Sequence, residues 1–490
     1  MQHYLKHHTS VVLLAILGLS ACNSPEKSAF TGVFEQINEE VQAHSDAYTR
    51  LGESIDTIGH RLTGSTNGAK AEQFAFDLLK SYGFTDVSFQ PFAAEGWARE
   101  SIDLQTGAPG AMKQVKAVAL ASTPAAAELQ GDLVDMGNGL ASDYAADPGK
   151  AEGKIVLAAL NLLPGSSDDT KNLHRSAKAA LAIQHGAKGI ILFNGVEGGT
   201  LLTGTASITG ELLTIPALCI GFEDGLKLKE DILSGGQQAT INMKNTTGTM
   251  QARNVIARID GSELPDEKIV VGAHLDSWDL AQGAIDNGLG AFSVIDMART
   301  FMALDIKPRR TVEFVLFMGE EQGLLGSKAY VQEAMDNGTI DQIRFMLNFD
   351  MTNDPKSFYA SLEGCQRLFT DFGNAAAAVD TAFKNNFTAR AGLHSDHQPF
   401  MLAGIPIGGA SGGQLSPEAR NCYHADCDVF DLVDEQEMKN TVRYGTMLLY
   451  GLANVDEIPV NRLSDTEVKQ LMIANNLEEE LRVGGDWRWD

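Results

Sequence analysis

The sequence predicts an α/β protein with a mainly parallel central sheet flanked by helices, together with a smaller α+β insert that is rich in strands. The sheet is predicted because strand and helix patterns alternate after residue 250, an order typical of a parallel sheet covered on both faces. The strand patterns lie at 254–259, 268–273, 311–317 and 344–349, and the helical patterns at 288–304 and 327–337. The insert is predicted because residues 119–249 are rich in Ala, Gly, Leu and Ile and carry no run of His, Asp and Glu that could form a catalytic site.

The segments around this core have weaker patterns. Before the insert, apolar periodicity predicts helices at 34–48 and 69–82, a Gly/Thr/Ser loop at 59–65 and a strand at 87–92. Within the insert, strands are predicted at 131–135, 154–158 and 190–193, with a helix at 177–185. The tail after 455 is either a helix packed on the main domain or a loose end.

These patterns divide the chain into five parts. They are 1–21, a lipoprotein signal peptide; 22–118, the N-terminal part of the main domain; 119–249, the insert; 250–455, the part that carries the candidate site; and 456–490, the tail.

The charge balance excludes several kinds of partner. The 490 residues include 38 Lys and Arg against 64 Asp and Glu, so the formal net charge is −26. Binding to nucleic acid requires clustered cations for the phosphates, and docking on anionic lipid requires a basic patch. We therefore expect neither a nucleic-acid partner nor membrane binding through surface charge.

The first residues predict export. Lys6 precedes an apolar run at 11–19, which is too short to cross the roughly 30 Å of a bilayer core and is typical of a secretory signal. The run ends at Leu19-Ser-Ala-Cys22, which resembles the bacterial lipobox, in which the cysteine is lipidated and becomes the mature N-terminus. Asn23 after the cysteine resembles outer-membrane sorting, facing the periplasm or the cell surface. A plain cleaved signal with an incidental Cys22 is the alternative.

The remaining cysteines fall into two groups. Cys422 and Cys427 are close in sequence and could pair in an oxidising compartment, although the sequence leaves this open. Cys219 lies in an apolar run and is predicted to be a buried thiol.

Potential metal ligands gather at predicted strand ends and in Gly-rich loops. They are His274, Asp286, Glu320, Glu321, Asp350 and His424. Each alone has a structural explanation, such as a helix N-cap for an aspartate. Together, imidazoles and carboxylates suit Zn²⁺ and neighbouring divalent ions. They are too many for one tetrahedral ion that keeps an open position, and they suit two ions that share a bridging carboxylate.

Two short motifs indicate how such a site would work. Neighbours on an extended segment point in opposite directions, so one of Glu320 and Glu321 can bind metal while the other faces an attacking water. Positions i and i+2 share a face, so Asp276 can hydrogen-bond the imidazole of His274 and fix its tautomer.

At these residues the chain resembles the M28 family of zinc peptidases, and most closely the plasma glutamate carboxypeptidase (carboxypeptidase Q-like) branch. The matching motifs are Gly272-Ala-His-Leu-Asp-Ser-Trp-Asp279, Gly283-Ala-Ile-Asp-Asn-Gly288, Glu320-Glu-Gln-Gly323, Asp350 and Tyr423-His424. The insert resembles the protease-associated domain, which serves that family as a lid or interaction module. The resemblance implies a phosphorylase/hydrolase-like zinc exopeptidase fold from about residue 35 to 452.

The resemblance also implies a role for each motif residue. Asp286 would bridge two Zn²⁺ ions, for which Co²⁺ or Mn²⁺ could substitute. His274 and Asp350 would complete one site, and Glu321 and His424 the other. Glu320 would be the general base, Asp276 would orient a ligand and Tyr423 would stabilise an oxyanion. Asp396 and His397, within His394-Ser-Asp-His397, would belong to the wall of the substrate pocket and not to the metal ligands.

The implied activity is hydrolysis of dipeptides or of terminal residues of short peptides, and a homodimer is compatible with the family. Ser411-Gly-Gly-Gln414 and the loop between Cys422 and Cys427 differ from the mammalian branch, so the choice between a free N-terminus and a free C-terminus stays open. A glutaminyl cyclase on the same fold and a non-catalytic receptor are the rival functions. The complete ligand set and the insert argue against the first, and the presence of every ligand and the base argues against the second.

Overall fold

The computed structural model describes residues 30–489 and has the predicted α/β architecture. Its strands are β1 Asp86–Gly107, β2 Lys113–Val115, β3 Ala117–Ala119, β4 Ala126–Asp135, β5 Ile155–Ala159, β6 Gly189–Phe193, β7 Ala217–Ile220, β8 Gln238–Ile259, β9 Leu264–His274, β10 Arg310–Phe317, β11 Ile343–Asn348, β12 Ser357–Ala360, β13 Thr388–Ala389 and β14 Ile407–Ser411. The signal sequence and Cys22 lie outside the described residues.

Helices cover the sheet and join its strands. They are α1 Thr31–His44, α2 Ala47–Ile58, α3 Thr66–Ser81, α4 Ala141–Ala146, α5 Arg175–Gln184, α6 Phe222–Leu233, α7 Leu289–Ala303, α8 Leu325–Asp336, α9 Gln366–Val379, α10 His397–Leu402, α11 Pro417–Asn421, α12 Glu435–Asn454, α13 Asp465–Ala474 and α14 Glu478–Gly484. Among residues 30–489, no helix combines the length and the apolar character needed to cross a membrane.

The main sheet runs in the order β13-β12-β14-β11-β9-β10-β8. Strand β9 is parallel to both β10 and β11, and their registers pair His274 with Phe317 and Gly272 with Asn348. The carboxyl ends of the three strands are therefore nearly level at one edge. In open α/β sheets this edge is where sites form.

Both faces of this sheet are buried, which explains its continuous apolar strands. Val271 and Leu316 pack into a core beneath α7 and α12, whereas Val270 and Val315 point to the opposite face. That second face is covered by α8, α10, α13 and α14, with Leu481 of the tail buried in it. Of the two structures open for the tail, the packed helix is therefore the one that forms.

Two long strands connect the insert to the main domain. β1 and β8 pair antiparallel from Asp86 opposite Arg258 to Gly107 opposite Gln238. β4 continues the sheet by pairing with the N-terminal part of β8, residues 238–244. Strands β4, β5, β6 and β7 then run parallel, between two apolar cores of their own. The strand predicted at 87–92 is thus the first part of a much longer one.

The first predicted helix, 34–48, is wrong at its end. Helix α1 stops at His44, Ser45 is extended and α2 begins at Ala47. Ser45 donates its hydroxyl to Asp296 at 2.6 Å, and Asp46 accepts from the Tyr82 hydroxyl at 2.9 Å. These tertiary hydrogen bonds hold the chain at the break between the two helices, and apolar periodicity does not reveal them.

Candidate active site

The six predicted metal-site residues come together at the strand-end edge. His274 is the last residue of β9, Glu320 and Glu321 follow β10, and Asp350 follows β11. Asp286 lies in a short turn before α7, and His424 lies in a loop between α11 and α12. The level carboxyl ends of the three parallel strands bring these groups together from distant parts of the sequence.

Asp286 lies between the two histidines. Its Oδ1 is 3.3 Å from Nε2 of His274, and its Oδ2 is 3.1 Å from Nε2 of His424. All three side chains are at least nine-tenths buried. One carboxylate therefore presents a separate oxygen to each side, which is the arrangement that a bridging ligand requires.

The ligand atoms form two overlapping groups. The His274 group contains His274, Asp286 and Asp350, and the His424 group contains Asp286, Glu321 and His424; within each, the ligand atoms lie within 4.8 Å of one another. Asp350 Oδ1 is 3.5 Å from His274 Nε2, and Glu321 Oε2 is 3.0 Å from His424 Nε2.

The protein leaves two of these ligand oxygens unsatisfied. Asp350 Oδ1 and Glu321 Oε1 are buried and accept no hydrogen bond from the described residues. A buried carboxylate oxygen without a donor is costly unless a cation supplies the missing interaction. With imidazole and carboxylate donors on each side, both groups fit a divalent ion such as Zn²⁺.

The electrostatics of the two histidines reflect this crowding of carboxylates. Burial alone would lower the pKa of His424, but the neighbouring carboxylates of Glu321 and Asp286 raise that pKa to about 9. Burial likewise opposes charge on His274, and Glu320 and Asp350 raise its pKa well above the usual range. The site thus has a strong excess of negative charge that favours cations.

Glu320 is half-buried beside the His274 group. Burial raises the pKa of its carboxyl well above the usual range; the carboxylates of Asp350 and Glu321 add to this, whereas His274 opposes it. Its backbone amide donates to Asp276 Oδ1 at 3.2 Å. Glu320 is therefore held next to the ligands without being a member of either group.

Asp276 is buried beneath His274. The Nδ1 of His274 is 3.2 Å from the backbone carbonyl of Asp276 and 3.6 Å from its carboxylate Oδ1. The carboxylate instead accepts from the Glu320 amide and, through Oδ2, from the hydroxyl of Thr63 at 2.9 Å. The closer acceptor for the ligand imidazole is thus the main chain of Asp276.

The sequence did not predict a role for Arg61, which holds two backbone segments of the site together. This fully buried side chain donates from Nε to the Leu275 carbonyl at 2.6 Å and from Nη2 to the Gly283 carbonyl at 2.7 Å. It therefore joins the end of the strand that carries His274 to the turn that carries Asp286. The loop at 59–65 offered no sequence signal for this role beyond a single cation.

Asp428 was also missed, and it positions Asp286. Its carboxylate accepts from the backbone amides of Ile285 at 2.8 Å and Asp286 at 3.1 Å. Burial raises the pKa of Asp428 to about 6. On the other side of the cis peptide bond that follows Asp286, Asn287 donates to the Phe349 carbonyl at 3.0 Å. The turn that carries Asp286 is thus anchored from two directions.

The remaining predicted residues lie around the ligands. The ring of Tyr423 is 39% exposed and stacks on His424, with ring centroids 3.9 Å apart. Asp396 is fully buried, neither of its oxygens accepts a hydrogen bond from the described residues, and burial raises its pKa to about 7. His397 Nε2 is 3.0 Å from the Gly392 carbonyl. Just before them in the sequence, Ser395 donates its hydroxyl to Asp350 Oδ2 at 2.7 Å, so this segment supports a member of the His274 group.

The insert contacts the second histidine directly. Arg175 of α5 is buried, with Nη2 3.2 Å from Nδ1 of His424. The disulfide left open by the sequence is formed between Cys422 and Cys427, whose Cα atoms are 5.1 Å apart. Cys219 is buried as predicted.

A parallel sheet at whose carboxyl edge two histidines and three carboxylates form overlapping groups, with a further carboxylate beside them, has the architecture of a metal-dependent hydrolase. Residues 254–448 match the sequence profile of Peptidase family M28, and residues 129–228 match that of the PA domain. The chain thus matches peptidase family M28 over its catalytic part and the PA domain over its insert. It is a metallopeptidase of the exopeptidase type.

Individual relatives agree with this assignment. The chain is 28% identical over 386 residues to leucine aminopeptidase 2 of Trichophyton rubrum, covering 76% of this chain and 70% of that protein. It is 25% identical over 487 residues to carboxypeptidase Q of Mus musculus, covering 92% and 99%. The relatives thus include both an aminopeptidase and a carboxypeptidase.

Solved structures share the fold. A peptidase M28 precursor from Shewanella amazonensis superposes with a TM-score of 0.74 at 22% identity, covering 89% of this chain and 98% of that one. A zinc aminopeptidase from Bacillus subtilis superposes with a TM-score of 0.65 at 23% identity, covering 86% and 97%. The predicted fold class and family are confirmed.

Proposed function

We propose that this chain is an exported, lipid-anchored exopeptidase that uses two Zn²⁺ ions to hydrolyse dipeptides or terminal residues of short peptides. The observation that carries the proposal is the position of Asp286, whose two oxygens face His274 at 3.3 Å and His424 at 3.1 Å. A site for a single ion would not need one carboxylate shared between two groups.

In this proposal each ligand group holds one ion. Asp286 is shared, His274 and Asp350 complete the first site, and Glu321 and His424 complete the second. Co²⁺ and Mn²⁺ accept the same nitrogen and oxygen donors and are expected substitutes. When bound, such a pair of ions polarises the peptide carbonyl and makes a water acidic enough to attack at neutral pH.

Glu320 moves the proton. Its carboxylate lies beside both ligand groups and takes a proton from the attacking water as the water oxygen bonds to the carbonyl carbon. When the bond between carbon and nitrogen breaks, Glu320 returns that proton to the amine. The second proton of the water passes from the new carboxyl group to the amine, so the products are a carboxylate and an ammonium group, and Glu320 ends in its starting state.

Tyr423 is the residue we assign to the oxyanion. Its side chain is partly exposed at the rim and its ring packs on His424, so its hydroxyl is free to approach a substrate held at the site. We assign Asp396 and His397 to the support of the pocket near Asp350, because Ser395, which directly precedes them, donates to that ligand.

We infer short substrates because the insert stands against the site. Its Arg175 lies 3.2 Å from His424, and a small cleft opens beside Trp278, Ala281, Gly283, Asp286, Glu321, His424, Ala425 and Asp428. A wall so close to the ligands leaves little room for a long chain on that side.

We also propose that a lipid on Cys22 attaches the enzyme to the bacterial outer membrane, facing the periplasm or the cell surface, and that a homodimer is its assembly. Replacing Cys22 with Ser should release the processed protein from the membrane fraction. Retention of the Cys22→Ser variant in that fraction would remove the anchor from the proposal.

The decisive test of substrate class is a panel of dipeptides with free, N-blocked and C-blocked termini, incubated with zinc-loaded protein and read by mass spectrometry. We expect hydrolysis of at least one unblocked dipeptide, and the blocked series identifies which terminus is read. A Gln-initiated peptide in the same panel serves as control. Cyclised product without hydrolysis would instead support a glutaminyl cyclase.

A further inference from the structure

The loop that carries His424 is fastened at its base and at its tip. The disulfide between Cys422 and Cys427 closes the base. At the tip, the loop pairs with a segment of the insert, through an antiparallel bridge between Leu202 and Ala425. His424 thus lies in a closed loop whose free side is occupied by the insert.

Main-chain hydrogen bonds make this contact specific. The amide of Thr203 donates to the carbonyl of His424 at 2.7 Å, and the amide of Asp426 donates to the carbonyl of Leu201 at 3.0 Å. These bonds hold the backbone on both sides of Ala425. Because backbone position sets where a ligand imidazole lies, the insert determines part of the geometry of the His424 group.

The side chain of Asp426 completes the contact. Its Oδ1 accepts from the amide of Leu201 at 3.1 Å, and its Oδ2 lies 3.0 Å from Nζ of Lys116, which precedes β3. Lys116 is 69% exposed, so this ion pair is worth little by itself. The hydrogen bond from the Leu201 amide contributes more to docking than this ion pair, because it holds a main-chain group of the insert that is less exposed to solvent.

We propose that the insert is a structural part of the His424 group, and that Asp426 is the positioning residue that couples docking of the insert to ion binding by His424. The inference rests on the proposed function, because it requires an ion in the His424 group. Coupling is reciprocal: if docking strengthens ion binding, ion binding must strengthen docking by the same factor.

The test measures ion binding and docking separately. Zn²⁺ binding is titrated against a competing chelator in wild type, Asp426→Ala and Asp426→Asn. Supporting residues around metal ligands typically contribute about 10-fold to 100-fold to affinity. We expect Asp426→Ala to weaken the binding of one of the two Zn²⁺ ions by that factor and to leave the affinity for the other ion unchanged. Asp426→Asn should recover most of the loss, because an amide oxygen still accepts from Leu201.

Two controls separate this effect from general damage to the insert. Lys116→Ala removes only the exposed ion pair and should change Zn²⁺ binding less than threefold, within the small value of surface pairs. Asp132→Ala removes another exposed ion pair, to Lys154. It should have no effect on either ion.

Docking is read by amide hydrogen exchange at Leu201, Thr203 and Asp426. In wild type, loading with Zn²⁺ should slow exchange at these amides, and in Asp426→Ala the slowing should be lost. If wild type binds two ions and Asp426→Ala binds both with unchanged affinity, the inference is wrong and the two-ion function stands. If wild type binds fewer than two ions, the proposed function fails and this inference fails with it.

Discussion

The carboxylate of Asp276 accepts a hydrogen bond from the backbone amide of Glu320, with 3.2 Å between Oδ1 and the amide nitrogen. This bond joins the segment that follows β9 to the segment that follows β10. Because the carbonyl of Asp276 also faces the imidazole of His274, one residue braces both the proposed metal ligand His274 and the proposed general base Glu320.

Asp276→Asn therefore tests two effects with one substitution. Asparagine replaces one carboxylate oxygen with an NH₂ group, so the Thr63 hydroxyl must change from donor to acceptor, and the negative charge 3.6 Å from Nδ1 of His274 is lost. We expect Zn²⁺ affinity of the His274 group and kcat/KM to fall about 10-fold to 100-fold. Thr63→Val, which removes only the hydroxyl, should have a smaller effect. Wild-type affinity and rate in Asp276→Asn would show that the brace is unnecessary.

Glu320→Gln tests the general base. Glutamine keeps the size of the side chain but cannot take a proton. We therefore expect kcat to fall by about 10²-fold to 10⁴-fold while both zinc ions remain bound. Metal content and steady-state kinetics are measured on the same preparation. Glu457→Gln, at an exposed site, is the matched control. Full activity in Glu320→Gln would remove this residue from the mechanism.

Asp286→Ala and His274→Ala should differ in the number of ions lost. Asp286 belongs to both ligand groups, whereas His274 belongs to one. We expect Asp286→Ala to weaken the binding of both ions and His274→Ala to weaken mainly the binding of one. The retained metal is measured after dialysis against a chelator. Unchanged zinc content in His274→Ala, or loss of a single ion in Asp286→Ala, would contradict the ligand assignment.

Lys178 gives the insert a predictable dependence of stability on pH. It is fully buried, donates to the carbonyls of Ala159 and Leu160, and burial lowers its pKa to about 8. Between that pH and the usual pKa of about 10.4 for lysine, the unfolded chain binds more protons than the folded one, so stability rises with pH.

This dependence is measured as the free energy of unfolding of wild type and Lys178→Met between pH 7 and about pH 10. Wild type should gain stability relative to the variant across this window. Lys188→Met, at an exposed lysine, should follow wild type. Parallel curves for wild type and Lys178→Met would show that the buried amine keeps an ordinary pKa.

The grouping of the candidate ligands could be predicted from the sequence because their position depends on local patterns. His274 and Asp350 follow recognisable buried strands, and a parallel sheet brings such strand ends to one edge. Arg61 and Asp428 could not be predicted, because they act on backbone groups 214 and 142 residues away. Their partners are carbonyls and amides, which leave no trace in the side-chain pattern.

The contact between the insert and the main domain could likewise not be predicted from the sequence. The contact between Leu202 and Ala425 joins two loops, and loops have no periodicity to read. The position of Asp426 between His424 and Cys427 gave no indication that it contacts the insert. Such contacts depend on the relative position of two domains, which only the folded chain defines.

The most direct test of the central claim is the zinc content of the purified, metal-loaded protein, measured by elemental mass spectrometry against protein concentration. The shared position of Asp286 predicts two ions per chain, and removal of zinc should abolish peptide hydrolysis until zinc is restored. One ion per chain with full activity, or activity that survives complete removal of metal, would contradict the account.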